Sequence, residues 1–184
     1  MKKGLTINKV VAIGIGAAVF MILGRFAAIP TGIPNTEFAT CYAFLALMAI
    51  IYGPKTAFAI GFLGHTLKDL TYGSPWFSWI IASAVMGLII GFASKRINIS
   101  DGIFEKKQMI IYNIYQVVAN AIAWGFVAPT LDFVLYKEPI EKVYIQAAVA
   151  GVANTITCGI LGTILIYSYS KTRIKKGSLK KEYL

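Results

Sequence analysis

The chain has 184 residues, 57% of them hydrophobic, and a mean hydropathy of +0.68. Soluble domains carry nearer about 45–50% apolar residues, so a compact water-soluble fold is excluded and a single integral membrane domain is expected. The formal net charge of +10 would suggest nucleic acid in a soluble protein; here the basic residues lie between apolar runs and at the termini, where they act as topology signals.

The opening stretch, MKKGLTINKVVAIGIGAAVF, begins like a signal peptide, with a basic start and an apolar core. Its apolar run continues to Ile29, past the roughly 7–15 residues of a signal core. It therefore reads as an uncleaved first span over residues 9–28. Spans need about 20 apolar residues, and five more follow. The second covers 36–52. The third covers 54–70 and is opened by Pro54, where a helix tolerates proline. The fourth covers 76–94, the fifth 108–128 with a run on towards Leu135, and the sixth 143–168. Residues 169–184 form a basic tail. The expected fold class is an all-α integral membrane protein, a six-transmembrane-helix bundle. Lys2, Lys3, Lys9, Lys55, Lys95, Arg96, Lys106, Lys107 and the tail residues hold most of the 18 basic side chains on one side. By the positive-inside rule both termini are cytoplasmic, which an even span count satisfies.

Ionisable groups inside spans are expensive, and they usually pair, face the bundle interior, or mark a pathway. At about 1.5 Å per residue, Arg25 lies about 24 Å up the first span, and Lys68 and Asp69 about 21–22 Å up the third. Glu37 stands at the outer start of the second. These four form a charge-balanced outer layer, which serves either as a structural brace or as part of a site. Asp69 has two candidate partners, Arg25 and Lys68. His65, about 16 Å up, has Asp69 four residues on. That pair could orient an imidazole as a base, but no nucleophile is evident nearby, and a lone helical histidine is commonly a packing residue.

The fifth span places Asn113, Gln116, Asn120 and Trp124 on one helical face. The sixth carries Gln146 and Asn154 two turns apart, with Thr157 beyond. Such stripes either bond neighbouring helices or line a polar pocket. Amides reading ring donors and acceptors, beside a stacking aromatic, suit a flat, uncharged heterocycle. Asn35, Trp76 and Trp79 flank this layer, although interfacial tryptophans also occur simply as belt residues.

Small residues at Ala12-x-x-x-Gly16, Gly14-x-x-x-Ala18 and Gly87-x-x-x-Gly91 give smooth faces for close helix approach, within the chain or with a partner. Cys41 and Cys158 lie in apolar runs without metal-ligand spacing and read as small buried hydrophobes. No dinucleotide fingerprint, phosphate-binding loop or metalloprotease motif occurs. No metal site and no cofactor are expected.

Taken together, VVAIGIGAAVF, IPTGIPNTEF, YGPKTAFAIGFLGHTLKDLTYG, WFSWIIASAVMGLIIG, NIYQVVANAIAW and GTILIYSYSKTRIKKGSLKKE resemble the S components of energy-coupling factor (ECF) vitamin importers, in particular the riboflavin-type group. The resemblance covers nearly the whole chain. It implies a six-helix substrate-binding subunit in the bacterial cytoplasmic membrane that captures a vitamin or precursor at the outer face. The ligand would be a riboflavin-like or hydroxymethylpyrimidine-like heterocycle. The resemblance strengthens Asn35, Trp79, Asn120, Trp124 and Asn154 as ligand contacts, beside Trp76, Gln116 and Gln146 from the outer loop and the polar stripes, with the first outer loop closing over the ligand. The implied partners are a membrane T component, docked by the small residues Ala12, Gly14, Gly16 and Ala18, and two ABC ATPase subunits. The subunit would topple to deliver its cargo inward, with no enzymatic activity of its own. The alternatives are a stand-alone carrier and an intramembrane enzyme using His65 and Asp69.

Overall fold

In a computed structural model, residues 6–173 are described; the end of the basic tail, residues 174–184, lies outside them. Six helices follow one another: α1 (Ile7–Phe26), α2 (Thr40–Tyr52), α3 (Pro54–Leu70), α4 (Phe77–Phe92), α5 (Lys106–Tyr136) and α6 (Ile140–Lys171). A small antiparallel hairpin, β1 (Ala28–Pro30) with β2 (Glu37–Ala39), joins α1 to α2. By length and composition, α1, α4, α5 and α6 suffice to cross a membrane; α2 and α3 are shorter. The protein is an all-helical membrane protein apart from that hairpin.

The hairpin is the main departure from the expected spans. The second helix starts at Thr40 rather than near residue 36, because Pro30 pairs with Glu37 and Ile29 with Phe38. Within the turn, the Thr31 and Thr36 hydroxyls meet, and the Thr36 hydroxyl also donates to the Ile33 carbonyl at 2.8 Å. Short polar side chains thus satisfy a backbone that no regular ladder reaches. What remains of α2 is about 20 Å long and buried along most of its surface. Gly53, at φ 82°, ends it with its N–H on the Ala49 carbonyl, and Pro54 starts α3 at once. A positive φ suits glycine at such a helix end.

Helix α3 is packed between α1 and α4. A Cβ on Gly61 would come within 2.6 Å of the Ser83 carbonyl, and one on Gly87 within 2.7 Å of the Ala57 carbonyl. The two backbones therefore touch, and the Gly87-x-x-x-Gly91 face is consumed inside the chain. On the other side, Ala12 and Gly16 of α1 are buried, Gly16 against Ile60, whereas Gly14 and Ala18 are exposed. The two small-residue registers of α1 thus face opposite ways. Around the bundle, Ile15, Ile114, Ile145, Val152 and Ile160 are exposed, an apolar belt suited to acyl chains rather than water.

Helix α5 continues past residue 128 to Tyr136. Pro129 has no N–H to give and crowds the preceding turn, and a wide π turn at Ala123–Val127 accommodates it. A second π turn, Cys158–Gly162, interrupts α6. There the Tyr112 hydroxyl donates to the Cys158 carbonyl at 2.8 Å, supplying a partner to a buried acceptor. Gly162 leaves the room that hydroxyl occupies.

Candidate ligand-binding site

At the hairpin end of the bundle a cavity of about 670 Å³ opens between the hairpin, the ends of α3 and α5, and the starts of α4 and α6. Of the residues expected to contact a ligand, Asn35, Trp76, Trp79, Gln146 and Asn154 line it, as do Glu37, Lys68 and Asp69. Gln116, Asn120 and Trp124 do not. They are fully buried in the core beneath it. Arg25 is exposed and outside the lining.

The charged layer resolves into separate pairs. The Lys68 ammonium meets the Glu37 carboxylate. Its aliphatic stem crosses α1 at Gly24, where an added Cβ would stand 3.0 Å from Lys68 Cδ. Asp69 faces neither Arg25 nor Lys68. One of its oxygens lies 3.3 Å from His65 Nε2, and the other accepts the Trp76 backbone N–H at 2.9 Å. That second bond satisfies one orphan donor at the start of α4. Arg25 instead lies over the Tyr72 ring, 4.4 Å from its centroid, with a 3.4 Å bond to the Tyr72 hydroxyl.

Asp132 is the organising group that the sequence reading missed. It is 3% exposed. It accepts the indole N–H of Trp76 at 2.6 Å, the indole N–H of Trp79 at 2.9 Å, and the Ser78 hydroxyl. One carboxylate on α5 therefore orients both tryptophans at the start of α4. Tyr136 stacks on Trp76 at 4.0 Å, and its hydroxyl accepts the Phe77 N–H. In an uninterrupted helix Asp132 would point about 80° away from Trp124, eight residues earlier. The π turn absorbs about one residue, which brings the two within about 20° of one face. Pro129 was the available signal, since an interior proline announces a change of phase.

Below the cavity the polar stripe of α5 bonds largely to itself and to α6. Asn120 donates to Gln116 Oε1 at 3.1 Å, Gln116 to Asn113 Oδ1 at 3.3 Å, and Asn113 to Thr163 at 3.1 Å. Trp124 supports the cavity wall from behind, edge-on to Trp79 at 5.2 Å and to Tyr42 at 5.3 Å. The Asn154 side chain is 2% exposed, and its carbonyl oxygen has no partner among the described residues. The same holds for Asn120 Oδ1 and Trp124 Nε1. Buried polar atoms without partners are uncommon and costly, and of these three residues only Asn154 lines the cavity.

His65 sits between Asp69 and Ser83, with Nδ1 at 2.5 Å from Ser83 Oγ. The order Ser83, His65, Asp69 resembles a hydrolytic triad. Ser83, however, is fully buried, does not line the cavity, and donates to the Trp79 carbonyl at 2.9 Å. The Tyr42 hydroxyl joins the same cluster, 3.0 Å from Ser83. The arrangement braces α2, α3 and α4 together beneath the cavity.

The hairpin is held over the cavity from the far side. Gln146 on α6 donates to the Pro34 carbonyl at 2.9 Å, next to Asn35 at φ 62°. This one side-chain bond ties the hairpin tip to α6.

A helical membrane bundle with a ligand-sized cavity at one end, beside a hairpin, has the form of a small-molecule-binding membrane protein. Residues 4–171 match the family model for the ECF-type riboflavin transporter, S component. The chain is 60% identical over 185 residues to a Clostridium perfringens (strain SM101) protein called UPF0397, with all of both chains covered. UPF0397 proteins of Staphylococcus aureus (strain Mu3) and Lactobacillus johnsonii are each 52% identical over 182 residues; the match covers 98% of this chain and 99% and 98% of theirs. The chain belongs to the ECF-type riboflavin transporter S component family. It is accordingly a substrate-binding transporter subunit rather than an enzyme.

Proposed function

We propose that this protein captures a vitamin or vitamin precursor with a flat heterocyclic core, riboflavin-like or hydroxymethylpyrimidine-like, at the outer face of the bacterial cytoplasmic membrane. It delivers that cargo inward by toppling, together with a T component and two ABC ATPase subunits. All six helices cross the bilayer, both termini are cytoplasmic, and the hairpin end faces out. Basic residues at the opposite end, among them Lys55, Lys95, Lys106 and Lys107, support this orientation.

The observation that carries the binding role is Asn154. Its amide, whose carbonyl oxygen has no partner among the described residues, lines a cavity of about 670 Å³ whose walls include Trp79 and Trp76. An amide offers a donor and an acceptor side by side, and the indoles offer a stacking surface. Asn35, Trp76, Trp79, Gln146 and Asn154 contact the ligand directly. Gln116, Asn120 and Trp124 hold the floor and wall in place. Of the two small-residue registers on α1, Gly14 and Ala18 are the pair left for the T component, because Ala12 and Gly16 are covered by α2 and α3.

Mass spectrometry of small molecules released from the purified chain tests the reading. A bound flavin or pyrimidine derivative is the expected result. Purified protein that neither carries nor takes up any such heterocycle overturns it, as does uptake by liposomes containing this chain alone.

A further inference from the structure

We propose that the ligand is a cation: a heterocycle bearing a quaternary or protonated nitrogen, held by carboxylates and indole faces. The inference rests on the reading of the cavity as a heterocycle site and narrows it to one charge class.

The first observation is the charge balance of the walls. Lys68 is engaged by Glu37, and Lys142 by Glu138 at 2.6 Å. That leaves Asp69, which shares His65, and Asp132, whose three donors are neutral indoles and a hydroxyl. Whether or not His65 carries a proton, carboxylates outnumber cations in the lining among the described residues. Arg25 does not alter this balance within the cavity, because its guanidinium is exposed and placed over Tyr72. A cleft with an excess of one sign and low-dielectric walls attracts the opposite sign. An anionic ligand would meet these carboxylates with no uncommitted ammonium group in the lining.

The second observation is the aromatic wall. Tyr42, Tyr72, Trp76 and Trp79 all line the cavity. Aromatic faces recognise quaternary and protonated nitrogen through the ring quadrupole, and tryptophan is the strongest. Both indoles donate their N–H to Asp132, which pushes electron density into the rings and strengthens their pull on a cation. Tyr136 behind Trp76 and Trp124 against Trp79 hold those faces in position. The third observation is the Asn154 carbonyl oxygen, a buried acceptor without a partner among the described residues, on a side chain of the cavity lining where a ligand donor could meet it. The first two features favour a positive charge, and the third favours a hydrogen-bond donor on the same ligand.

The full chain, purified in detergent, is titrated calorimetrically with two matched pairs and with riboflavin. The pairs are 1-methylnicotinamide against nicotinamide, and thiamine against its neutral tricyclic oxidation product thiochrome. The expected result is that the cationic member of at least one pair binds ten-fold or more tightly than its neutral partner, and that Asp132→Asn removes most of that advantage. Riboflavin binding without any cation preference overturns the charge proposal and leaves the heterocycle reading standing. A cation preference unchanged in Asp132→Asn also overturns it. No binding by any probe overturns the charge proposal, and the heterocycle reading then stands or falls with the mass spectrometry of released ligand. If Asp132→Asn does not fold, Trp76 takes its place, being 37% exposed. Trp76→Leu is then expected to weaken the cationic probe ten-fold or more, with Trp76→Phe recovering part of the loss; equal losses for the charged and neutral probes count against the proposal.

Discussion

The indole N–H of Trp79 donates to Asp132 at 2.9 Å, across a separation of 53 residues, and this bond joins the start of α4 to the end of α5. Asp132 holds two further donors, so its removal strands three donors at once, the fully buried Ser78 hydroxyl and two part-buried indole N–H groups. Each unsatisfied group costs about 1–3 kcal/mol. Asp132→Ala should therefore lower the unfolding temperature of the purified protein far more than Asp132→Asn, which retains a carbonyl acceptor. Comparable melting curves for the two variants would show that the three bonds contribute little.

The Lys68–Glu37 pair should behave as a coupled unit. The side chains are 14% and 24% exposed, between the surface and interior limits for ion pairs. Lys68→Met leaves the Glu37 carboxylate without its partner, at a cost between about 1 and 3 kcal/mol. Adding Glu37→Gln should restore much of that loss, because neither charge then needs compensation. A double-mutant cycle by thermal unfolding measures this directly. Additive losses would mean that the contact is not an energetic coupling.

Glycine positions in the two small-residue faces should separate stability from partner contact. On Gly87 a side chain meets the Ala57 carbonyl at 2.7 Å, backbone against backbone. Gly87→Val must force α3 and α4 apart, and a loss of folded protein in detergent extracts is expected. Gly14 has nothing within 4 Å of an added Cβ. Gly14→Val should leave folding and ligand binding intact while reducing ATP-dependent uptake in the assembled transporter. Uptake at the level of the unaltered chain would move the docking face elsewhere.

Much of this architecture was legible in composition and periodicity, and the reasons for the exceptions are physical. Long apolar runs between basic clusters declare membrane helices because the bilayer admits little else. The α5 stripe from Asn113 to Trp124 was legible because a helical period places those side chains on one face. The hairpin was not, since three-residue strands carry no alternation and Thr31, Thr36 and Asn35 signal only a turn. Asp132 was hidden by the π turn, which changes the period between it and Trp124. The His65–Asp69 pair read from the four-residue spacing is present, whereas Arg25 and Lys68 failed as partners of Asp69 for a different reason. Depth along an axis places residues in a layer, but direction around the axis decides who meets whom. His65, one turn below Asp69 on its own helix, was on the right face, whereas Arg25 was turned towards Tyr72.

The last prediction concerns the hairpin. Gln146 is the side chain that fastens its tip to α6, through the Pro34 carbonyl. Nearer its base, the hairpin is held by its own ladder and by Thr40, whose hydroxyl donates to the Ala27 carbonyl at 3.0 Å. Gln146→Leu keeps the bulk but removes the donor, so the tip loses its hold while the base stays fixed. One hydrogen bond contributes about 0.5–1.5 kcal/mol, which corresponds to a population of opened hairpin raised by roughly 2–13-fold. Ligand release measured by stopped-flow tryptophan fluorescence should quicken by at least the lower end of that range, because Gln146→Leu also removes one of the ligand's own contacts, while the melting temperature of the ligand-free protein changes little. An unchanged release rate would show that the hairpin tip does not control exit.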